Sequence, residues 1–246
     1  MQRIEMIGPP GVGKSTLLAA LESTLKRQGV PVDTARWMPY RTHADGRRSS
    51  RLEEWLYGRK GMQRWMRHKF EKEMVRGELK RLREAVSPWP EFLDHALRGF
   101  VVANENPALR LERLQSFVRQ VATAHAADRL PGDVPVLFDE GLAQRGVSLG
   151  QGSADSEVEA YFCRLPLPAL TVHVLARSEI IHQRLRARNP EVERFHAMVE
   201  RAREVGNRGC GSIEKRGGEV MVVDSERETV AVAAELANHI REITTP

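Results

Sequence analysis

Gly8-Pro9-Pro10-Gly11-Val12-Gly13-Lys14-Ser15-Thr16 decides how the rest of the chain is read. It satisfies G-x-x-x-x-G-K-[ST], the phosphate-binding loop pattern, in the context the pattern requires. Gln2 to Ile7 (QRIEMI), with apolar Ile4, Met6 and Ile7, is short enough for a strand, and Leu17 to Gln28 reads as a helix. Glycines let such a loop turn with positive φ and approach a phosphate closely. Successive N–H groups then face one concavity, backed by the positive end of the helix dipole. Lys14 is placed to reach the outer phosphates and the Ser15 hydroxyl to ligate Mg²⁺. The expected ligand is a nucleoside triphosphate held by residues 8 to 16, with ATP and Mg²⁺ as cofactors.

A short apolar run, Val134 to Phe138, leads into Asp139-Glu140-Gly141. A buried strand ending in acid beside the loop supplies a carboxylate that orients Mg²⁺ or takes a proton from an acceptor hydroxyl. Asp139 is assigned to the metal with Ser15, and Glu140 is the alternative base. Gln144 and Arg145 follow near the same strand tip.

Between these two blocks, Val30 to Arg36 reads as a second strand. Residues just past strand ends face the ligand crevice of an open α/β sheet, so Asp33, Arg36 and Arg41 are candidates for the acceptor site. Trp37 and Tyr40 are read as packing residues. Residues 43–130 read as a helical insertion on the acceptor side. Its predicted helices cover Gly61 to Val86, with Met62, Trp65, Met66, Phe70 and Met74 in the core, then Glu91 to Val102 and Pro107 to Ala127. The buried stripe expected of the last is Ala108, Leu111, Leu114, Phe117, Val118 and Val121.

After the acidic block come a short helix over Asp155 to Cys163 and a parallel-type strand, Leu170 to Leu175. His173 within that strand is read as a sheet residue rather than a catalyst. A helix follows, with Ser178 as its expected N-cap and Arg184 and Arg188 one turn apart on a shared face. Residues 189–212 are charged and end in Gly206, Gly209 and Gly211. They are expected to form a lid with glycine hinges. A last strand, Glu219 to Val223, and a helix over Thr229 to Ile240, with Val230, Ala233, Leu236 and Ile240 on one face, complete the chain. The order implies a five-stranded parallel sheet with helices on both faces.

The 246 residues carry a net charge of +5. Residues 41–100 hold 15 Lys and Arg against 9 Asp and Glu, so the rest of the chain is near neutral. A basic segment of this kind admits nucleic acid or an anionic surface as a partner, but a solvated helical face is the reading adopted. No run of about eighteen apolar residues is present, which excludes a transmembrane helix from the expectation. With only Cys163 and Cys210, and a start that runs straight into the loop, a cytoplasmic protein is expected.

Three blocks, GPPGVGKST, VLFDEGLAQRG and LTVHVLARSEIIHQRLRARN, resemble the P-loop kinases of the nucleoside and nucleoside monophosphate kinase type. The second is similar to the strand-plus-acid block of thymidylate and deoxynucleoside kinases. There an arginine usually follows the acid, where this chain has Glu140. The third looks like the strand and lid-entry helix of adenylate kinase-like enzymes. The resemblance implies the P-loop NTPase three-layer α/β sandwich over residues 1–246, with a large helical insertion. It also implies ATP-dependent phosphoryl transfer to a small-molecule hydroxyl, with Arg184 stacking on adenine and Arg188 contacting phosphate. Lys14, Asp139, Glu140 and Arg188 are then the catalytic set, and Arg145 joins the acceptor set. The other class kept in view is a P-loop ATPase whose hydrolysis regulates a protein or anionic-polymer partner.

Overall fold

The computed structural model describes residues 1–45, 60–102, 106–150, 153–188 and 196–244; within its helices the side chains of 60–67, 100–102 and 196 are not described. Met62, Trp65 and Met66, expected in the core, therefore lie outside the described side chains.

Five parallel strands form one sheet: β1 (Gln2–Ile7), β2 (Asp33–Thr34), β3 (Pro135–Phe138), β4 (Leu170–Leu175) and β5 (Val220–Asp224), in the order β2-β3-β1-β4-β5. β1 is central, with Glu5 opposite Phe138 of β3 and Ile7 opposite His173 of β4. The loop after β1 and the acids after β3 therefore emerge side by side at the carboxyl edge. This is the P-loop NTPase sandwich that the three blocks imply.

Helices cover both faces. α1 (Lys14–Arg27) packs with α10 (Thr229–Thr244) against Ile4, Met6, Leu137, Val172 and Val174, joined by Ile181 of α8 (Ser178–Arg188). The opposite face carries Ile7, Val136 and Phe138, covered by helices from both sides of β3. Before it run α2 (Met38–Ala44), α3 (Lys60–Arg81), α4 (Trp89–Val102) and α5 (Pro107–Arg129). After it come α6 (Leu142–Gly150), α7 (Asp155–Arg164) and α9 (His196–Lys215). Met74, Trp89, Phe92 and Phe117 from the first group share one core with Val147, Phe162 and Val205 from the second. Among the described residues no helix is long and apolar enough to cross a membrane.

Several expectations are corrected. β2 spans two residues rather than Val30 to Arg36, because it is an edge strand touching only Val136 and Leu137 and because Pro31 has no N–H to give. The chain then turns through a 3₁₀ segment, Ala35–Trp37, into α2. In α5 the buried stripe begins at Phe117; Ala108 and Leu111 are exposed, since the half facing the core is the C-terminal one. In α10 Val230 is exposed, and Val232, Ala233, Leu236, Ala237 and Ile240 form the face. Ser178 is the first helical residue, not the cap, and its hydroxyl accepts a hydrogen bond from Arg203.

The expected lid, residues 189–212, falls partly on a helix and partly outside the described residues. Residues 196–212 belong to α9, whose Val199, Ala202, Val205 and Ile213 are fully buried; residues 189–195 lie outside the described residues. Gly206, Gly209 and Gly211 are helical, so they are not hinges here. Gly209 instead lets α9 approach α7: a Cβ there would sit 2.5 Å from Cζ of the buried Phe162. Gly209→Ala is therefore expected to cost about 1–3 kcal/mol, through displacement of that ring. Gly211, with open space around its Cβ position, is the control: Gly211→Ala should be neutral or stabilising by up to about 1 kcal/mol. Thermal unfolding of both variants checks the contrast.

Candidate active site

The loop after β1 turns through Gly11 (φ 80°) and Gly13 (φ 111°), in the left-handed region where a side chain would be strained. Gly13 is the N-cap of α1, and the first helical hydrogen bond inside the loop runs from Leu17 N–H to the Gly13 carbonyl at 3.0 Å. The first-turn amides of Lys14, Ser15 and Thr16 therefore have no intrahelical acceptor and are placed for an anion.

Lys14 folds back over the loop and donates to the carbonyls of Gly8 (2.8 Å) and Pro9 (3.1 Å). Burial lowers its pKa to about 8, against the pull of Asp139 and Glu140 in the other direction. The Ser15 hydroxyl donates to Asp139 Oδ2 at 2.7 Å. These residues line a cleft of about 160 Å³ together with Glu140 and Arg188. Asp139, Glu140 and Lys14 thus gather as expected from their spacing, and Arg188, exposed at the end of α8, reaches the same cleft.

A second cleft, about 250 Å³, adjoins it. Gly11, Gly13, Thr16 and Arg188 line both, and Arg184, Ser225, Arg227 and Val232 line the second alone. Arg184 is fixed by three hydrogen bonds: Nη1 to the Val12 carbonyl (2.8 Å) and to Ser225 Oγ (3.0 Å), and Nη2 to the Ser225 carbonyl (2.9 Å). Its guanidinium edge is committed to the loop.

The acceptor-side candidates do not converge. Asp33 and Arg41 form a bidentate pair (2.7 and 3.1 Å), and Arg36 is exposed. Arg145 points to α5, donating to Gln120 Oε1 at 2.8 Å and Ser116 Oγ at 2.9 Å. Desolvation lowers its pKa, partly offset by Glu140. Trp37 meets Tyr40 edge-on at 6.1 Å and Tyr40 is buried, in line with packing rather than base stacking. His173 is buried in the sheet, and burial lowers its pKa to about 4.

Residues outside the expected set shape the site. Gln144 is buried and its Oε1 accepts from Gly8 N–H at 3.0 Å, tying α6 to the loop. Glu5 is fully buried and accepts from Ala143 N–H at 2.7 Å, just past the acids. Arg3, also buried, donates to Glu5 (2.6 Å), the Pro166 carbonyl (2.6 Å) and Asp128 (3.1 Å). The available signal was two charged residues on a strand that had to be covered on both faces.

The donors present fit Mg²⁺. Ser15 and Asp139 offer hard oxygens beside the phosphate loop, and Mg²⁺ is ordinarily held by one or two protein groups with the rest from phosphate and water. Among the described residues no cluster of three or more His, Cys, Asp or Glu offers a different metal site. Because Asp139 holds Ser15 and Glu140 does not, Asp139→Asn is expected to lower MgATP turnover about 10²-fold or more and Glu140→Gln less, a ranking steady-state assays with both variants check.

No protein-family model and no curated protein matches the sequence. Solved structures of deoxyadenosine kinase from M. mycoides are similar in fold at 13% identity. The form with products dCMP and a flexible dCDP has a TM-score of 0.44 over 98% of this chain and 99% of that chain. The dCTP-bound form gives 0.42 over 96% and 97%, and the dATP-bound form 0.44 over 98% and 100%.

Proposed function

We propose that this chain is a P-loop phosphotransferase that moves the γ-phosphoryl group of ATP to a hydroxyl of a small-molecule acceptor. The observation that carries the reading is that Lys14, Ser15, Asp139, Glu140 and Arg188 line one cleft, with the arginine supplied by the same chain. In this reading the loop amides and Lys14 hold the β- and γ-phosphates, exchanging the Gly8 and Pro9 carbonyls for phosphate oxygens. Ser15 and Asp139 would hold Mg²⁺ there, and the ion would supply positive charge that offsets the phosphates. Arg188 adds positive charge where the transferring group gathers negative charge. Glu140, exposed in the cleft and without a hydrogen bond among the described residues, takes the proton of the attacking hydroxyl. The second cleft receives the base and ribose of the nucleotide.

ADP release with MgATP tests this, measured with and without nucleosides, nucleoside monophosphates, sugars and aminoglycoside-like hydroxyl compounds. A rise of at least about tenfold with one class, with a phosphorylated product, is the expected result. Hydrolysis indifferent to every acceptor would overturn it. Glu140 would then polarise water, and the chain would be an ATPase acting on a partner.

A further inference from the structure

Ser225 sits on the loop after β5, distant in sequence from the phosphate loop. Its hydroxyl donates to the Val12 carbonyl at 2.6 Å, and its own N–H donates to the Leu175 carbonyl at 2.8 Å, which fixes it to the end of β4. Arg184 donates to the same Val12 oxygen at 2.8 Å and to Ser225 Oγ at 3.0 Å. The Val12 carbonyl thus accepts two hydrogen bonds from one side.

The peptide between Val12 and Gly13 is trans, since among the described residues only Ser87-Pro88 is cis. In a trans peptide the C=O and N–H point in opposite directions. Ser225 and Arg184 line only the second cleft, whereas Gly13 lines both. With its carbonyl held toward Ser225 and Arg184, the peptide turns the Gly13 N–H away from them, and Gly13 also lines the cleft of Lys14, Ser15 and Asp139. Gly13 has φ 111°, so its own backbone does not hold this orientation by sterics. The hydrogen bonds to Val12 do.

Resting on the reading of the first cleft as the triphosphate site, we infer that Ser225, with Arg184, is a positioning residue: it aims the Gly13 amide at the phosphates by holding the Val12 carbonyl from behind. Ser225 touches no phosphate in this arrangement.

The test is binding of MgATP, inorganic tripolyphosphate and adenosine to wild type, Ser225→Ala and Ser225→Thr by calorimetry. In Ser225→Ala, Kd for MgATP and for tripolyphosphate should rise together by about 3–10-fold, the worth of one hydrogen bond. Kd for adenosine should stay within about twofold, and Ser225→Thr, which keeps the hydroxyl, should restore both polyanions. Equal losses for adenosine and tripolyphosphate would overturn the inference, because Ser225 would then act on the base. Unchanged tripolyphosphate binding in Ser225→Ala would overturn it while leaving the proposed function standing. Failure of the wild type to bind either polyanion would overturn both.

Discussion

Lys14→Ala is expected to lower MgATP turnover by about 10²–10³-fold, the scale of losing one preorganised charge at a developing anion. The melting temperature should stay within about 3 °C of wild type, because among the described residues the ammonium hydrogen-bonds to the Gly8 and Pro9 carbonyls and to no side chain. Titration adds a second signature. Burial lowers the Lys14 pKa to about 8, so in the free protein the cation is present below that pH and lost above it. Phosphate favours the cation, so Kd for ATP should rise as pH goes from 7 to 9, by up to tenfold per unit above 8. Stability runs the other way. Between about pH 8 and the ordinary lysine value of 10.5 the unfolded chain holds the proton and the folded one does not, so stability from this group rises with pH. A fluorescent-nucleotide titration at pH 7, 8 and 9 checks the binding arm. Its slope should vanish in Lys14→Ala, and an equal slope in the variant would show that another group titrates.

How far the sequence carried these assignments depends on the range of the interaction. The first strand, the loop, the helix after it and the acid at the end of β3 were legible, because each is set by a few neighbouring residues. The distance from Ser15 to Asp139, 2.7 Å across 124 positions, follows once β1 and β3 are neighbours in the sheet. The length of β2 was not legible, since it depends on how far one edge strand finds a partner. Gly209 could not be told from a hinge glycine, because its reason is the Phe162 ring of another helix. Charge misled at α9: Arg201, Arg203 and Arg208 mark its outer face, where Arg201 and Arg208 both pair with Asp155 and Glu204, while the face beneath is apolar. The hydrogen bonds of Arg184 to Val12 and Ser225 were not legible in the sequence, because they cross 172 and 41 positions and depend on the fold.

The largest expected stability effect lies under the site, at Glu5. Arg3 and Glu5 share the face of β1 that turns toward α5 and α6, and both are fully buried. Burial opposes the Arg3 cation, and Asp128 and Glu5 more than offset it, holding the guanidinium above its ordinary value. Glu5→Gln keeps the shape and removes the charge, leaving Arg3 with the partly exposed Asp128 as its one counter-ion among the described residues. Breaking a buried pair from one side costs about 3–5 kcal/mol, which in a chain of this length lowers the melting temperature by roughly 10 °C. Arg3→Met should cost a similar amount, since it leaves the buried Glu5 carboxyl without its partner. If the two act as a pair, Arg3→Met combined with Glu5→Gln will cost clearly less than the sum of the single changes; an additive result would mean that each side chain is held by its other partners. There is a functional consequence as well. Glu5 Oε2 holds the Ala143 amide, and a Cβ on Gly141 would lie 2.3 Å from Glu5 Cδ, so the turn carrying Asp139 and Glu140 rests directly on this carboxylate. The strand that opens the phosphate loop therefore also seats the acids beside it, through a side chain buried completely between the sheet and its covering helices.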